Sequence, residues 1–523
     1  MVTLFSNSSH LSRAQSKKKR NLLMIVPMIL GISLAAVEAP PNSALAELRQ
    51  RLSAHISQSK YDTALWGVKV VSQDTGKTVF ELNQQKLFTP ASNTKLYTTA
   101  LALDRLGPDY RIKTSIYARG KPDGTGTVPG DLIIYGRGDP SFNAHFDHGS
   151  LSNALLPLVA ALSHAGIKRI AGDLIGDSTF FRGAPFGSGW VWEDLQQRFG
   201  AEISALTIND NTLRLRVKPG ERVDTPCVLS LIPSPSFIIL SNRTLTVEKH
   251  GRKAIQFERP ITENILHVFG QMPLDGTPLV EEITVHEPAL LFVSFLSSLL
   301  PSHGIELMGK PRALGHFERP AAPATIGELI ELGSVESPPL RNLIRETVKP
   351  SQNLYADLLL AHMGEKARTS ETLPEMRSEE LGIRELGKFL VRANVRRGDV
   401  LFEEGSGLSR NNLCTPEATV ALLQFMTQHP AGDIFLDALP IAGVDGTLQQ
   451  RMKDTPAQGN LRAKTGTLRY DSTLSGQVKT AAGERLLFSI MLNRFHSTEP
   501  ARPGAEVDAI AVMLAEFKGR SDE

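Results

Sequence analysis

The chain has 523 residues, of which 41% are hydrophobic and 21% charged; this excludes wholesale disorder and allows several domains with a sizeable core. The net charge of +2 gives no bulk attraction to nucleic acid, and part of the basic excess is the cluster Lys17-Lys18-Lys19-Arg20, outside the expected fold. The two cysteines, Cys227 and Cys414, are far apart and are read as free buried thiols rather than a bridge.

The basic cluster precedes an apolar run from Asn21 to Val37, followed by small residues. That order is the pattern of a secretory signal. The run is short for a membrane anchor and is interrupted by Pro27 and Gly31. Ser33-Leu34-Ala35 and Ala44-Leu45-Ala46 are both candidate cleavage sites, and no cysteine nearby invites lipid attachment. The mature chain is expected outside the cytoplasmic membrane, in a periplasm where there is one, with at most loose membrane association.

The expected architecture is α/β (α+β), a domain interrupted by a large β-rich insertion. Residues 1–39 are the signal and exported N-terminus, 40–112 the first part of the domain, 113–315 the insertion and 316–523 the second part. A short amphipathic helix over 44–58 leads to a hairpin, with strands at 65–71 and 78–82 around Asp74-Thr75-Gly76-Lys77. Pro90 then opens a helix that runs to Gly107. Beyond Ile112 the texture changes to short strands between glycine-rich turns, at 114–118, 130–135, 171–177, 212–217, 228–232, 236–240 and 245–247. Helices are expected at 150–165 and 290–300. The helical period returns from Leu340, with helices from Ser351, at 379–393, 416–428 and 505–518. A strand at 461–467 leads into a meander at 472–478 and 486–492.

On the helix after Pro90, Ser92 and Lys95 lie three residues apart and share a face, as a nucleophile and its candidate base. Ser351-Gln352-Asn353 and Lys464-Thr465-Gly466 follow in that order. S-x-x-K, S-x-N and K-T-G are each weak alone; in this order, each at a turn, helix or strand junction, they are the set carried by penicillin-binding proteins and β-lactamases. There is no Walker or G-x-G-x-x-G loop and no His/Cys/Asp cluster with metal-ligand spacing, so neither cofactor nor metal is expected.

Further segments sharpen the match: Leu106-Gly107-Pro108-Asp109-Tyr110-Arg111, Gly138-Asp139-Pro140, Asn209-Asp210-Asn211-Thr212, Gly405-Ser406-Gly407-Leu408-Ser409-Arg410 and Gly443-Val444-Asp445-Gly446-Thr447-Leu448. From about residue 47 to 517 the chain resembles the class C low-molecular-weight penicillin-binding proteins, the D-alanyl-D-alanine carboxypeptidase/endopeptidase family. In that family accessory domains interrupt a transpeptidase-like domain. Glu404, where aspartate is expected, and Gln352, inside S-x-N, are departures.

The resemblance implies a serine-type hydrolase acting on peptidoglycan stem peptides through an acyl-enzyme at Ser92, and acylated by β-lactams. Lys95 would be the base, Ser351 would pass a proton to the leaving amine, and Asn353 would hold the substrate amide and Lys95. Lys464, Thr465 and Thr467 would bind the terminal carboxylate, with Lys464 near solvent and charged, and Gly466 would allow close approach. The backbone N–H groups of Ser92 and Thr467 would form the oxyanion hole. The insertion is expected to shape access and not chemistry. Two rival readings exist. A serine β-lactamase would need a deacylating Glu that is not found between Asn353 and Lys464, or Tyr in place of Ser351, and would lack the insertion. A catalytically silent wall-binding or β-lactam-sensing protein has no need of the intact motifs.

Overall fold

The structure, a computed structural model, describes residues 43–146, 149–233, 237–315, 329–496 and 504–523. The signal-like run lies outside the described residues. No helix among them is long and apolar enough to cross a membrane.

The catalytic half is built from the two ends of the chain. Its five-stranded sheet has the order Arg462–Leu468, Asp471–Lys479, Arg485–Asn493, Leu65–Ser72, Thr78–Leu82, each strand antiparallel to its neighbour. Alternation along Arg485–Asn493 explains how both faces are covered. Leu486, Phe488, Ile490 and Leu492 face a layer made by helices Ala44–Ile56 and Ala505–Ala515, whereas Leu487 and Met491 face the layer that holds the helix after Pro90. The cleavage candidate Ala44-Leu45-Ala46 forms the start of the first of these helices, with Leu45 in the core. The strand Arg462–Leu468 is the sheet edge, and it runs beside the turn that carries Ser92.

The intervening region has its own core. A five-stranded mixed sheet has the order Pro311–Leu314, Leu174–Asp177, Leu132–Tyr135, Lys113–Ala118, Ile330–Glu336. The last of these is antiparallel to Lys113–Ala118, so the sheet that begins after Ile112 continues past residue 315 to Glu336. Helices Leu151–His164 and Pro288–Leu299 pack on it, and three three-stranded sheets complete the region among the described residues: Leu279–Thr284, Thr212–Lys218, Val228–Ile232; Ile239–Val247, Ile265–Pro273, Ala254–Glu258; and the short Glu306–Leu307, Arg169–Ile170, Thr127–Val128. The two strands read at 236–240 and 245–247 are one, Ile239–Val247. Its polar middle, Ser241-Asn242-Arg243, breaks the apolar pattern because this stretch of the strand is exposed or half-buried on both faces. Cys227 and Cys414 are free and buried.

Helix Asn353–Ala367 joins the two halves. Every residue from Asn353 to Gly364 is buried, as expected of a helix covered on all sides. Leu359, Leu360 and Met363 pack into the catalytic core. Leu354, Tyr355, Leu358 and Ala361 pack against Phe181 and Ala205 of the intervening region.

Candidate active site

Ser92 lies in the 3-10 turn Ala91–Asn93 that opens helix Thr94–Leu106. Ala91 just before it has φ +48°, a left-handed conformation that a residue with a Cβ adopts only where the surroundings enforce it. The enforcement is visible in two glycines. A Cβ on Gly407 would overlap the Ala91 carbonyl oxygen, and one on Gly466 would overlap Thr473 Oγ1 and lie 2.6 Å from the Pro90 oxygen. The close approach at Gly466 is therefore to the Pro90–Ala91 backbone, and it brings the edge strand against the turn that carries Ser92.

Lys95 follows one helical turn later and is fully buried. Its Nζ is 2.9 Å from Ser92 Oγ, and donates to Asn353 Oδ1 at 2.6 Å and to the Ser406 carbonyl at 2.6 Å. The last two partners can only accept, so they fix two N–H bonds of the amine and leave its third direction, a lone pair when neutral, on the Ser92 hydroxyl. Burial lowers the Lys95 pKa to about 8, against the opposing pull of Asp357 and Glu404.

Those acids form a layer behind Lys95. Glu404 is fully buried and accepts from Ser406 N at 3.1 Å, Gly407 N at 2.7 Å and Asn412 Nδ2 at 2.5 Å. Asp357 Oδ1 accepts from Gly405 N at 2.9 Å. Burial, with Glu404 next in effect, pushes Asp357 well above the usual carboxylate range; the same two causes push Glu379 up to about 8. The carboxylates thus hold the Gly405-Ser406-Gly407 backbone whose carbonyl aims Lys95. The sequence showed Glu404 only as a departure, because its bonds to the Ser406 and Gly407 backbone and to the Asn412 side chain follow no motif spacing.

Ser351 precedes helix Asn353–Ala367 and has φ +65°. Lys464 Nζ donates to Ser351 Oγ at 2.8 Å and to the Thr465 carbonyl at 2.9 Å. Lys464 is not near solvent: it is fully buried, and desolvation, then the charges of Lys95 and Arg451, push its pKa well below that of an ordinary lysine. The expectation of a lysine near solvent is overturned, because the edge strand turns this side chain inward beneath Ser351, and its lowered pKa runs against the expectation that it stays charged. Thr465 Oγ1 pairs with Thr447 Oγ1 at 2.7 Å, while Thr467 is exposed.

Ser92, Ser351, Asn353 and Thr467 open together into a cleft of about 690 Å³, with both lysines beneath its floor. The intervening region supplies one wall through Val191, Glu193, Asp194, Gln197 and Phe199. Arg410, after the Gly405-Ser406-Gly407 loop, pairs with Asp194 at 2.6 Å across it. No group of three or more His, Cys, Asp or Glu able to hold a metal occurs among the described residues.

The sequence model of a family described as D-Ala-D-Ala carboxypeptidase 3 (S13) matches residues 48–517. The chain belongs to the D-Ala-D-Ala carboxypeptidase 3 (S13) family. As a member it is a serine-type peptidase of the D-alanyl-D-alanine carboxypeptidase class. Among S13-like relatives it is 32% identical over 515 residues to a D-alanyl-D-alanine carboxypeptidase of Actinomadura sp. (strain R39), covering 95% of this chain and 89% of that protein. The fold matches penicillin binding protein 4 (dacB) from Haemophilus influenzae with TM-score 0.74 at 24% identity, over 89% of this chain and 97% of that one. A second structure of that protein, complexed with a β-lactam, matches with TM-score 0.68 at 22% identity, over 90% and 97%.

Proposed function

We propose that this S13 enzyme cleaves the D-alanyl-D-alanine bond of peptidoglycan stem peptides through an ester at Ser92, and that β-lactams acylate the same oxygen. The observation that carries this reading is the 2.9 Å approach of Lys95 Nζ to Ser92 Oγ, with the two other N–H directions of Lys95 held by acceptors. The neutral amine takes the Ser92 proton as Oγ attacks the carbonyl. The tetrahedral oxyanion is held by the backbone N–H groups of Ser92 and Thr467. Ser351 delivers a proton to the leaving D-alanine amine and is reprotonated from the Lys95 ammonium, which returns Lys95 to its neutral form. Water then attacks the ester and passes its proton to Lys95, and Ser92 recovers a proton as the acid product leaves.

The edge strand Arg462–Leu468 is suited to the extended substrate, since its free edge faces the nucleophile turn and can pair with a peptide backbone. Thr465, Gly466 and Thr467 would lie along that peptide, Asn353 would hold its amide, and Thr467 with Lys464 would receive its terminal carboxylate. The inserted region, read at 113–315 by sequence and lengthened to Glu336 by strand pairing, would form the wall that meets the rest of the stem peptide. Endopeptidase action on cross-linked stem peptides is included in the proposal. The signal-like run supports work outside the cytoplasmic membrane.

The test is a time course with fluorescent penicillin and with cross-linked wall peptides, products identified by mass. A lasting adduct on the parent and none on Ser92→Ala is expected, with release of D-alanine. Rapid turnover of penicillin would favour a β-lactamase, and absence of any adduct would leave a silent scaffold.

A further inference from the structure

The segment Asn209-Asp210-Asn211 is set apart by its backbone. All three residues are left-handed, with φ of +49°, +55° and +55°. Single left-handed Asn or Asp residues are ordinary, but three in succession persist only where the surroundings over-determine them. Here they do. Asn209 N donates to the Phe142 carbonyl at 2.9 Å, and Asn209 Nδ2 to the Thr212 carbonyl at 2.8 Å. Asn211 Nδ2 donates to the Glu202 carbonyl at 2.8 Å, and Asn211 Oδ1 accepts from Ile208 N at 3.1 Å.

The product of this geometry is the placement of one carboxylate. Asp210 Oδ2 accepts from Gln352 Nε2 at 2.9 Å, and Asp210 Oδ1 accepts from Tyr355 Oη at 2.8 Å and from Asn143 Nδ2 at 2.5 Å. Gln352 and Tyr355 lie on the first turn of the helix that starts beside Ser351, three residues apart and hence on one face. A second contact holds the same turn from the same side, where Asn353 Nδ2 donates to the Phe199 carbonyl at 2.9 Å. That bond fixes the Asn353 amide so that its oxygen, not its nitrogen, meets Lys95.

We propose that Asp210 is a positioning residue for the reaction: through Gln352 and Tyr355 it fixes the first turn of the S-x-N helix, and so holds Ser351 in its left-handed conformation facing the cleft. The inserted region then takes part in the chemistry as well as in access. Ser351 cannot adopt φ +65° without support, and the residue after it is tied to a carboxylate 142 positions away in sequence. The assignment rests on the role of Ser351 proposed above. Asp210 does not reach Ser92 or the substrate carbonyl in this scheme, so its removal should slow acylation while leaving initial binding unchanged.

The test uses the full chain and reversed polarity. Gln352→Glu sets a second carboxylate against Asp210, whereas Asp210→Asn together with Gln352→Glu restores one N–H···O bond with donor and acceptor exchanged. The side-chain oxygen retained in Asp210→Asn can still accept from Tyr355 and Asn143. Stopped-flow acylation with penicillin gives the non-covalent dissociation constant and the acylation rate separately. For Gln352→Glu the rate is expected to fall by about tenfold or more with the dissociation constant within about twofold, and the double variant to return to within about threefold of the parent. Parental rate in Gln352→Glu, or a loss that the double variant does not restore, overturns the proposal. If Gln352→Glu does not fold, Asp210→Ala decides by the same split: a parental rate overturns the proposal, and a slowed rate at unchanged binding supports it. Ser351→Ala, run alongside, tests the underlying reading; parental acylation there would remove Ser351 from the chemistry whatever Asp210 does.

Discussion

Lys95 Nζ and Asn353 Oδ1 lie 2.6 Å apart although 258 residues separate them in the chain. The first comes from the helix that follows Ser92, and the second from a helix that is also gripped by the intervening region. The placement of the Lys95 amine thus depends on both halves of the described residues.

Acylation should depend on a base that must be neutral. With the Lys95 pKa at about 8, the acylation rate is expected to rise with pH and level off above that value. Lys95→Arg keeps the charge but supplies no neutral amine, and should cost at least about a hundredfold. Glu404→Gln removes an anion that favours the Lys95 ammonium, so the limb should move to lower pH. A pH–rate profile of penicillin acylation for the three proteins checks this; a limb that stays in place in Glu404→Gln would show that Glu404 acts only through the loop backbone.

Ligand binding should be linked to proton uptake at Lys464. Its pKa in the free enzyme is pushed well below that of an ordinary lysine, by burial first. A carboxylate arriving over Ser351 and Thr467 favours the ammonium and raises that pKa. Titration of a non-hydrolysed carboxylate ligand in buffers of different ionisation enthalpy, at neutral pH, should show net uptake of protons. Uptake should shrink in Lys464→Met, and equal uptake in both proteins would assign it elsewhere.

Gly407→Ala should damage the site more than its size suggests. The new Cβ overlaps the Ala91 carbonyl oxygen, and Gly407 itself has φ +84°. Both the overlap and the backbone oppose it, together costing about 2–4 kcal/mol of stability. Relief requires the Ala91 turn to move, which displaces Ser92. Thermal unfolding and penicillin acylation should both suffer, whereas Gly387→Ala, on a helix with open space at the Cβ, should leave acylation unchanged and raise stability by about 0.5–1 kcal/mol.

His362 gives the fold an acid-sensitive joint. Its Nδ1 is 2.8 Å from the Arg137 carbonyl and its Nε2 2.9 Å from Tyr110 Oη, an arrangement that suits the neutral ring donating to the first and accepting from the second. Burial lowers its pKa from 6.5 to about 4. The unfolded chain therefore binds a proton here that the native chain refuses, and stability from this group is lost as pH falls from about 6.5 to about 4, by up to about 3 kcal/mol. Denaturant melts at several pH values should show a shallower loss over that window in His362→Gln than in the parent.

The parts of this molecule written locally in the chain were legible. Pro90, Gly107 and the run without glycine or proline between them announce the helix after Ser92, and the near-continuous apolar run 486–492 announces a strand covered on both faces. S-x-x-K is readable because one helical turn brings both residues together. The contacts of Asp210 and Phe199 with the S-x-N turn were not, since one uses a backbone carbonyl and both depend on the docking of two separately built cores. The inward turn of Lys464 was missed because a lysine on an edge strand reads as solvated. Strands Ile265–Pro273 and Leu279–Thr284 went unread because Gly270, Pro273 and the pair Glu281-Glu282 break their apolar pattern, and Ala254–Glu258 because its alternation is only five residues long.

Helix Asn353–Ala367 also sets a condition on how the chain reaches its native state. Until the inserted region has formed the Phe181 and Ala205 surface, Leu354, Tyr355, Leu358 and Ala361 have nothing to cover them. Strand Leu65–Ser72 pairs with Arg485–Asn493 from the other side of the intervening region, so that half closes only after the rest has been synthesised. A chain halted between these events carries a bare, sticky helix face and an unpaired sheet edge. The interval before docking is therefore where aggregation and proteolysis compete with assembly.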